Sequence, residues 1–325
     1  MNNSHQIPIV DFSLYETNQS ECIRQLKYAC ENVGFFYLKN HGFSQESIDD
    51  IFSCIKQFFD FPLEEKTKYN IDESHYGYIG FRHETIDPGN QIMGDAKESF
   101  NLCKLNEQDE PLVVSPLPPL FREKKKLISE ISKGSYKLSI KLLELLAIAL
   151  EIPESEGGKN WFINKHKYES DSFDCLRVLH YPTVDKVIEN DIRAGIHSDY
   201  GSLSVLFQKD IGGLEVLPQN STKWVSVPII PGCIVINIGD CLEFWTRGLY
   251  KSIKHRVTFK EDNLNFDRYS IVYFLHPAID VKLESIPSKF IPNDKNEKDG
   301  EMVLNAGQYL LNKLQKIHAS DKNDQ

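Results

Sequence analysis

No apolar run in this chain approaches the length a bilayer span requires. The opening residues, MNNSHQIPIVDFS, also lack the basic stretch and apolar block of a secretory leader. The expectation is a cytoplasmic protein with no membrane partner. Basic charge is in short supply too, since 37 Lys and Arg face 47 Asp and Glu for a net charge of −10. Such a balance repels nucleic acid and anionic lipid, so a small molecule is the expected partner. Seven cysteines lie at long, irregular spacings with no CxxC pair, which excludes a disulfide framework and a zinc knuckle. No internal repeat and no low-complexity linker is present, and no HExxH or Ser/His/Asp signature points to a zinc peptidase or an acyl-transfer enzyme.

What is there is an ordinary globular composition, 41% hydrophobic and 26% charged over 325 residues, enough for a large core. Ile7 to Phe12 and Gly34 to Leu38 read as strands, with a helix over about 19–32 between them and an amphipathic helix beginning at Ser44. The Gly-, Pro- and Tyr-rich stretch 61–96 reads as a long irregular segment of the kind that lines binding sites. Apolar residues three and four apart predict one long helix from Leu120 to Leu150, its exposed start coated by Arg122, Lys124, Lys125 and Lys126.

After residue 170 the pattern turns to short β runs: Cys175 to Tyr181, Leu203 to Phe207, Gly213 to Leu217, Trp224 to Val227, Cys233 to Ile238, His255 to Phe259 and Tyr269 to Leu275. Turn residues separate them, which predicts a β-sandwich or barrel. A last helix over about 303–317 is expected on its outside, before a polar terminus (Ser320 to Gln325) that should fray. The chain therefore divides into a mixed α/β region (1–110), a long helix and connector (111–168), a β domain (169–285) and a C-terminal segment with a helix (286–325).

The sharpest local feature is His197-Ser198-Asp199. On an extended backbone, residues i and i+2 project to one face, so an imidazole and a carboxylate can reach one ion while Ser198 points away. His255, in the β run that follows Ser252, is the strongest third ligand. Two histidines and one carboxylate leave coordination positions open, which suits iron(II) engaging a cosubstrate and dioxygen. Further on, Arg268 and Ser270 stand at i and i+2 in an apolar strand. A guanidinium there demands an anion, either a ligand carboxylate or a structural Asp or Glu.

These blocks resemble the isopenicillin N synthase-like family of 2-oxoglutarate and Fe(II)-dependent oxygenases over nearly the whole chain. The resemblance rests on IPIVDFS (7–13), GFFYLKNHGF (34–43), RVLHYP (177–182), HSDYGSLSVLFQ (197–208), GGLEV (212–216), WVSVP (224–228), PGCIVINIGD (231–240), KSIKHRV (251–257) and RYS (268–270). Ser198 replaces a frequent threonine of that pattern, and Arg247-Gly248 stands where Asn-Gly is usual.

The resemblance implies a mainly β protein with flanking helices, built on a double-stranded β-helix (jelly-roll) core. It implies His197, Asp199 and His255 as iron ligands, and Arg268 and Ser270 as the grip on the distal carboxylate of 2-oxoglutarate, with Tyr181 hydrogen-bonding the same cosubstrate. The implied reaction uses Fe(II), 2-oxoglutarate and O2, with ascorbate as an assisting reductant, and hydroxylates or desaturates a metabolite while releasing succinate and CO2. Asn237 and Asp240 are read as turn-forming residues. Tyr76, Tyr78, Phe81, Arg82, Phe100 and His276 come from segments that approach the active site in this family, and an aromatic lining with one cation would suit a modest-sized anionic metabolite. Two other readings stay open: an iron oxidase of the same fold that takes all electrons from its substrate, and a non-catalytic small-molecule receptor.

Overall fold

The computed structural model describes residues 7–112, 117–188, 190–260, 264–291 and 303–320. Its elements run β1 (Ile9–Asp11), α1 (Leu14–Thr17), α2 (Gln19–Asn32), β2 (Phe35–Lys39), α3 (Gln45–Phe59), α4 (Leu63–Lys66), β3 (Gly77–Ile79), β4 (Glu98–Leu102), α5 (Pro119–Glu123) and α6 (Lys125–Ala149). The second half follows with β5 (Cys175–Tyr181), β6 (Ala194–His197), β7 (Leu203–Lys209), β8 (Leu214–Val216), β9 (Val225–Ser226), β10 (Cys233–Ile238), α7 (Asp240–Trp245), β11 (His255–Val257), β12 (Arg268–Leu275) and α8 (Ala306–Ser320).

Two sheets form. The larger has the order β1-β2-β10-β7-β12-β5-β4-β3 and the smaller β6-β11-β8-β9. The strict alternation of β12 shows how one sequence serves two environments. Tyr269, Ile271, Tyr273 and Leu275 pack outward with residues of α3 and α6 such as Phe58, Leu142 and Leu145. Val272, on the opposite face, joins Leu179, Tyr181, Val216, Val235 and Val257 between the sheets. Arg268 and Ser270 share the Val272 face, so the polar pair looks into the roll rather than toward the helices.

The mainly β, jelly-roll expectation agrees with this sheet-rich architecture. Ser44 is the N-cap of α3, its hydroxyl accepting from the Ser47 amide at 3.0 Å. The long helix differs from expectation in one respect: it breaks at Lys124 (φ −92°, ψ 15°), so the Pro118-Pro119 start forms the separate turn α5. The stretch 61–96 is largely irregular as expected but contributes α4 and β3, and β4 follows it. β4 escaped the reading because Glu98 and Ser99 are buried polar residues, where an apolar run would have marked a strand. β6 escaped because its four residues, Ala194–His197, form no β-type run and include Gly195. The polar terminus lies outside the described residues from 321 onward.

Candidate metal and cosubstrate site

β6 and β11 are antiparallel neighbours in the smaller sheet, and their register sets His197 directly opposite His255. Asp199, two residues past the end of β6, brings its carboxylate to the same point. Its Oδ1 lies 3.9 Å from His197 Nε2 and 3.6 Å from His255 Nε2. Both imidazoles are oriented from behind: Nδ1–H of His197 donates to the Gly195 carbonyl at 2.8 Å, and that of His255 to the Ile253 carbonyl at 3.1 Å. Each Nε2 lone pair is thereby turned toward Asp199.

The second carboxylate oxygen is already engaged. Asp199 Oδ2 accepts from Ser204 Oγ at 2.6 Å and from Asn237 Nδ2 at 2.7 Å, which leaves Oδ1 for the shared centre. Burial pushes the His197 pKa down to about 3, helped by the neighbouring His255, so this ring is a neutral donor. Burial also works to raise the Asp199 pKa, but His255, His197 and the two hydrogen bonds outweigh it and keep the carboxylate ionised. Two imidazole nitrogens and one carboxylate oxygen, all within 4.8 Å of one another, could hold one divalent ion with an open face. Ser198, as expected, turns its hydroxyl away from this point, to Lys254 Nζ at 3.1 Å.

A narrow cavity of ≈80 Å³ leads from these three residues to Arg268 and Ser270. Arg268 is 1% exposed, and its partners among the described residues are all uncharged. Nη1 donates to Ser270 Oγ at 3.3 Å and Nη2 to Gln208 Oε1 at 3.1 Å, while the guanidinium carbon sits 4.7 Å from the Tyr181 ring centroid. Nε has no hydrogen-bond partner among the described residues. A buried cation left short of both an anion and a hydrogen bond is costly, and this one borders a cavity whose other end is the His/Asp/His cluster. Burial lowers its pKa from the usual arginine value.

Comparison with known proteins accords with this geometry. The profile of the 2OG-Fe(II) oxygenase superfamily matches residues 172–277, and that of the non-haem dioxygenase in morphine synthesis N-terminal region matches residues 7–121. A UPF0676 protein of Schizosaccharomyces pombe is 36% identical, covering 94% of this chain and 91% of its own length. A 2-oxoglutarate-dependent dioxygenase of Penicillium crustosum is 32% identical over 93% of this chain and 91% of its own. The chain belongs to the 2OG-Fe(II) oxygenase superfamily. Among solved structures, a full-length Neurospora crassa protein in complex with alpha-KG and thymine superposes with a TM-score of 0.80 at 26% identity, covering 98% of each chain. The family's cofactors are Fe(II) and 2-oxoglutarate.

A second, larger cavity of ≈860 Å³ opens on the oxygenase's His197 and Asp199. Tyr76 and His276 line it, whereas the other four residues expected at a substrate pocket do not. Tyr78 and Phe100 are 1% and 0% exposed and belong to the core, where Phe100 packs edge-on against Phe58 and Phe121 at 5.3 and 5.2 Å. Tyr78 gives its hydroxyl proton to the buried Glu98. Phe81 is 38% exposed, with the Arg82 guanidinium 5.1 Å from its ring centroid, and Arg82 is committed to Asp191 at 2.8 Å.

Sequence reasoning missed Ser204, Gln208 and Arg177, and gave Asn237 the wrong role. Asn237 lies within β10 and faces Asp199, so it orients a carboxylate and forms no turn. The signal for Arg177 was available: it is a charged residue inside the apolar run Cys175 to Tyr181, the same anomaly that marks Arg268.

Proposed function

We propose that His197, Asp199 and His255 hold Fe(II), and that Arg268, with Ser270 and Tyr181, receives the distal carboxylate of 2-oxoglutarate. The oxygenase then couples decarboxylation of 2-oxoglutarate to succinate and CO2 with oxidation of a C–H bond of a small molecule in the larger cavity. One observation carries this reading: the buried guanidinium of Arg268, unpaired by any carboxylate among the described residues, lies along a narrow cavity that begins at the His/Asp/His cluster.

Iron supplies the dioxygen chemistry when bound. The chain's own residues position and enclose. Ser204 and Asn237 hold Asp199 so that a single oxygen is free. Gln208 and Ser270 hold the guanidinium fork in place for bidentate contact with a carboxylate. Leu179, Leu206, Val257 and Val272 line the narrow cavity and keep it dry, which strengthens the ion pair formed there. No protein side chain is needed as a general base.

Residues 169–285 carry this chemistry. The regions before and after them supply the outer walls of the larger cavity, through Ile79 and Ile86 on one side and Leu310 and Leu314 of α8 on the other. The partner is a free metabolite rather than nucleic acid, in keeping with the net charge of −10, and thymine, the molecule bound by the Neurospora crassa protein, is of that size class. The working compartment is the cytoplasm, consistent with seven cysteines spaced without a CxxC pair or a disulfide framework in the sequence.

The test is an anaerobic titration of iron-loaded protein with 2-oxoglutarate. A metal-to-ligand charge-transfer band should grow in with wild type. Arg268→Ala should weaken it steeply, and His197→Ala or Asp199→Ala should abolish both the band and succinate release. Full activity in either ligand variant would overturn the metal assignment.

A further inference from the structure

Where the larger cavity meets the metal ligands, its wall is made by Arg177, Glu84, Tyr200, Phe274 and His276. Arg177 also borders the narrow cavity, so its guanidinium sits at the junction of the two. Nη2 of Arg177 donates to Glu84 Oε1 at 2.6 Å and to Ser99 Oγ at 3.1 Å, and Nε to Ser99 Oγ at 3.4 Å. Nη1 has no hydrogen-bond partner among the described residues, yet it is not a sealed orphan, which leaves its two protons for a ligand.

The charge at this junction is already balanced. Burial opposes ionisation of Glu84, but Arg177 and Lys97 prevail and hold its pKa at about 2. Lys97, 3% exposed, pairs with Asp95 and lies 3.2 Å from Glu84. Two cations thus face two carboxylates. His276 adds no charge, since burial drives its pKa down to about 4. Farther out, Lys104 is the other lysine or arginine in the lining, and Glu169 and Asp171 accompany it. The rest of the lining is predominantly apolar, notably Ile79, Ile86, Phe274, Leu310 and Leu314, with uncharged polar side chains such as Ser74, Thr85, Asn101 and Ser172 among it.

Resting on the reading above, we propose that the primary substrate is an uncharged, largely apolar molecule that presents a carbonyl oxygen to Arg177 Nη1 beside the metal ligands. An organic acid is disfavoured there, because its carboxylate would surrender its hydration to meet a guanidinium that Glu84 has already neutralised. A neutral carbonyl loses far less on leaving water and still accepts a charge-assisted hydrogen bond. This reverses the anionic metabolite expected from an aromatic lining with one cation. Glu84 is the specificity residue, acting through Arg177.

The experiment uses matched probes: benzamide against benzoate, and 3-phenylpropionamide against 3-phenylpropionate. Each is titrated by calorimetry at neutral pH into anaerobic protein loaded with iron and saturating 2-oxoglutarate. Binding counts only while the charge-transfer band persists, so an acid that merely displaces the cosubstrate is recognised. The amide of each pair should bind about tenfold tighter than the acid, and Glu84→Gln should move that ratio about tenfold toward the acid. Equal or tighter binding of the acids by wild type overturns the inference, as does failure of every amide to bind at millimolar concentration. So does a ratio that Glu84→Gln leaves unmoved, and the wild-type ranking decides alone if that variant does not fold. Absence of the band in wild type would instead strike the proposed function.

Discussion

Asn237 Nδ2 donates to Asp199 Oδ2 at 2.7 Å, although 38 positions separate the two residues in sequence. Together with Ser204, it commits one carboxylate oxygen and frees the other, the task usually given to the residues behind a metal ligand. Asn237→Ala should therefore lower Fe(II) affinity by roughly 10- to 100-fold while leaving the fold intact. Anaerobic metal titration with circular dichroism as a folding control checks this, and unchanged affinity would return Asn237 to a purely structural role.

Arg268 separates stability from function. Among the described residues its buried charge has no carboxylate to answer it. Arg268→Met should leave the ligand-free protein as stable as wild type or more so, because an apolar chain of similar length removes the desolvation cost. Affinity for 2-oxoglutarate should fall by about two orders of magnitude. Denaturant titrations with and without 2-oxoglutarate read both effects, and a large loss of stability in the ligand-free variant would make the arginine structural.

Phe100 tests the correction of the substrate pocket. Fully buried against Phe58 and Phe121, it should behave as core. Phe100→Ala should cost about 3–5 kcal/mol of stability through lost contacts and a residual cavity. The KM for 2-oxoglutarate and the binding of amide probes should stay within a factor of about two, a shift worth well under 1 kcal/mol. A selective loss of probe binding without loss of stability would put the ring back at the site.

Acid sensitivity should come from histidines before carboxylates. His166 is fully buried, with Nδ1–H donating to the Phe162 carbonyl and Nε2 accepting from Ser202 Oγ, both at 2.8 Å. Burial pushes its pKa down to about 4. The folded value lies below the unfolded value of 6.5, so the unfolded chain takes up the proton first. The stabilisation is complete above pH 6.5 and disappears as the pH falls toward 4, a loss of about 3 kcal/mol for this one ring. Denaturation midpoints measured with chelator present should drop steadily across that window, and His166→Gln should flatten the slope. A wild-type midpoint constant from about pH 6.5 to about pH 4.5 would contradict the assignment.

Much of this architecture is legible in the residue order because its signals are local. Alternation in Cys175 to Tyr181 and Arg268 to Leu275 marks strands with two unlike faces, and HxD and RxS each set two polar groups on one face, whatever the rest of the chain does. The ordered blocks also pointed to the family. Among the strands that escaped, β4 carries buried polar residues whose reason for burial lies elsewhere in the chain, whereas β3 and β6 are three- and four-residue segments with a glycine and no β-type run.

By itself, then, the amino-acid order determined which side chains could share a face and which charged groups inside apolar strands would need an answer. Tertiary structure alone decided what answers them. Sheet register sets His255 opposite His197. Packing sends Tyr78 and Phe100 into the core, Glu84 reaches Arg177 across 93 positions, and Arg268 is left without a carboxylate among the described residues. The physical reason is range: backbone periodicity repeats every two or about 3.6 residues, whereas charge balance in a buried site depends on which distant segments exclude water together.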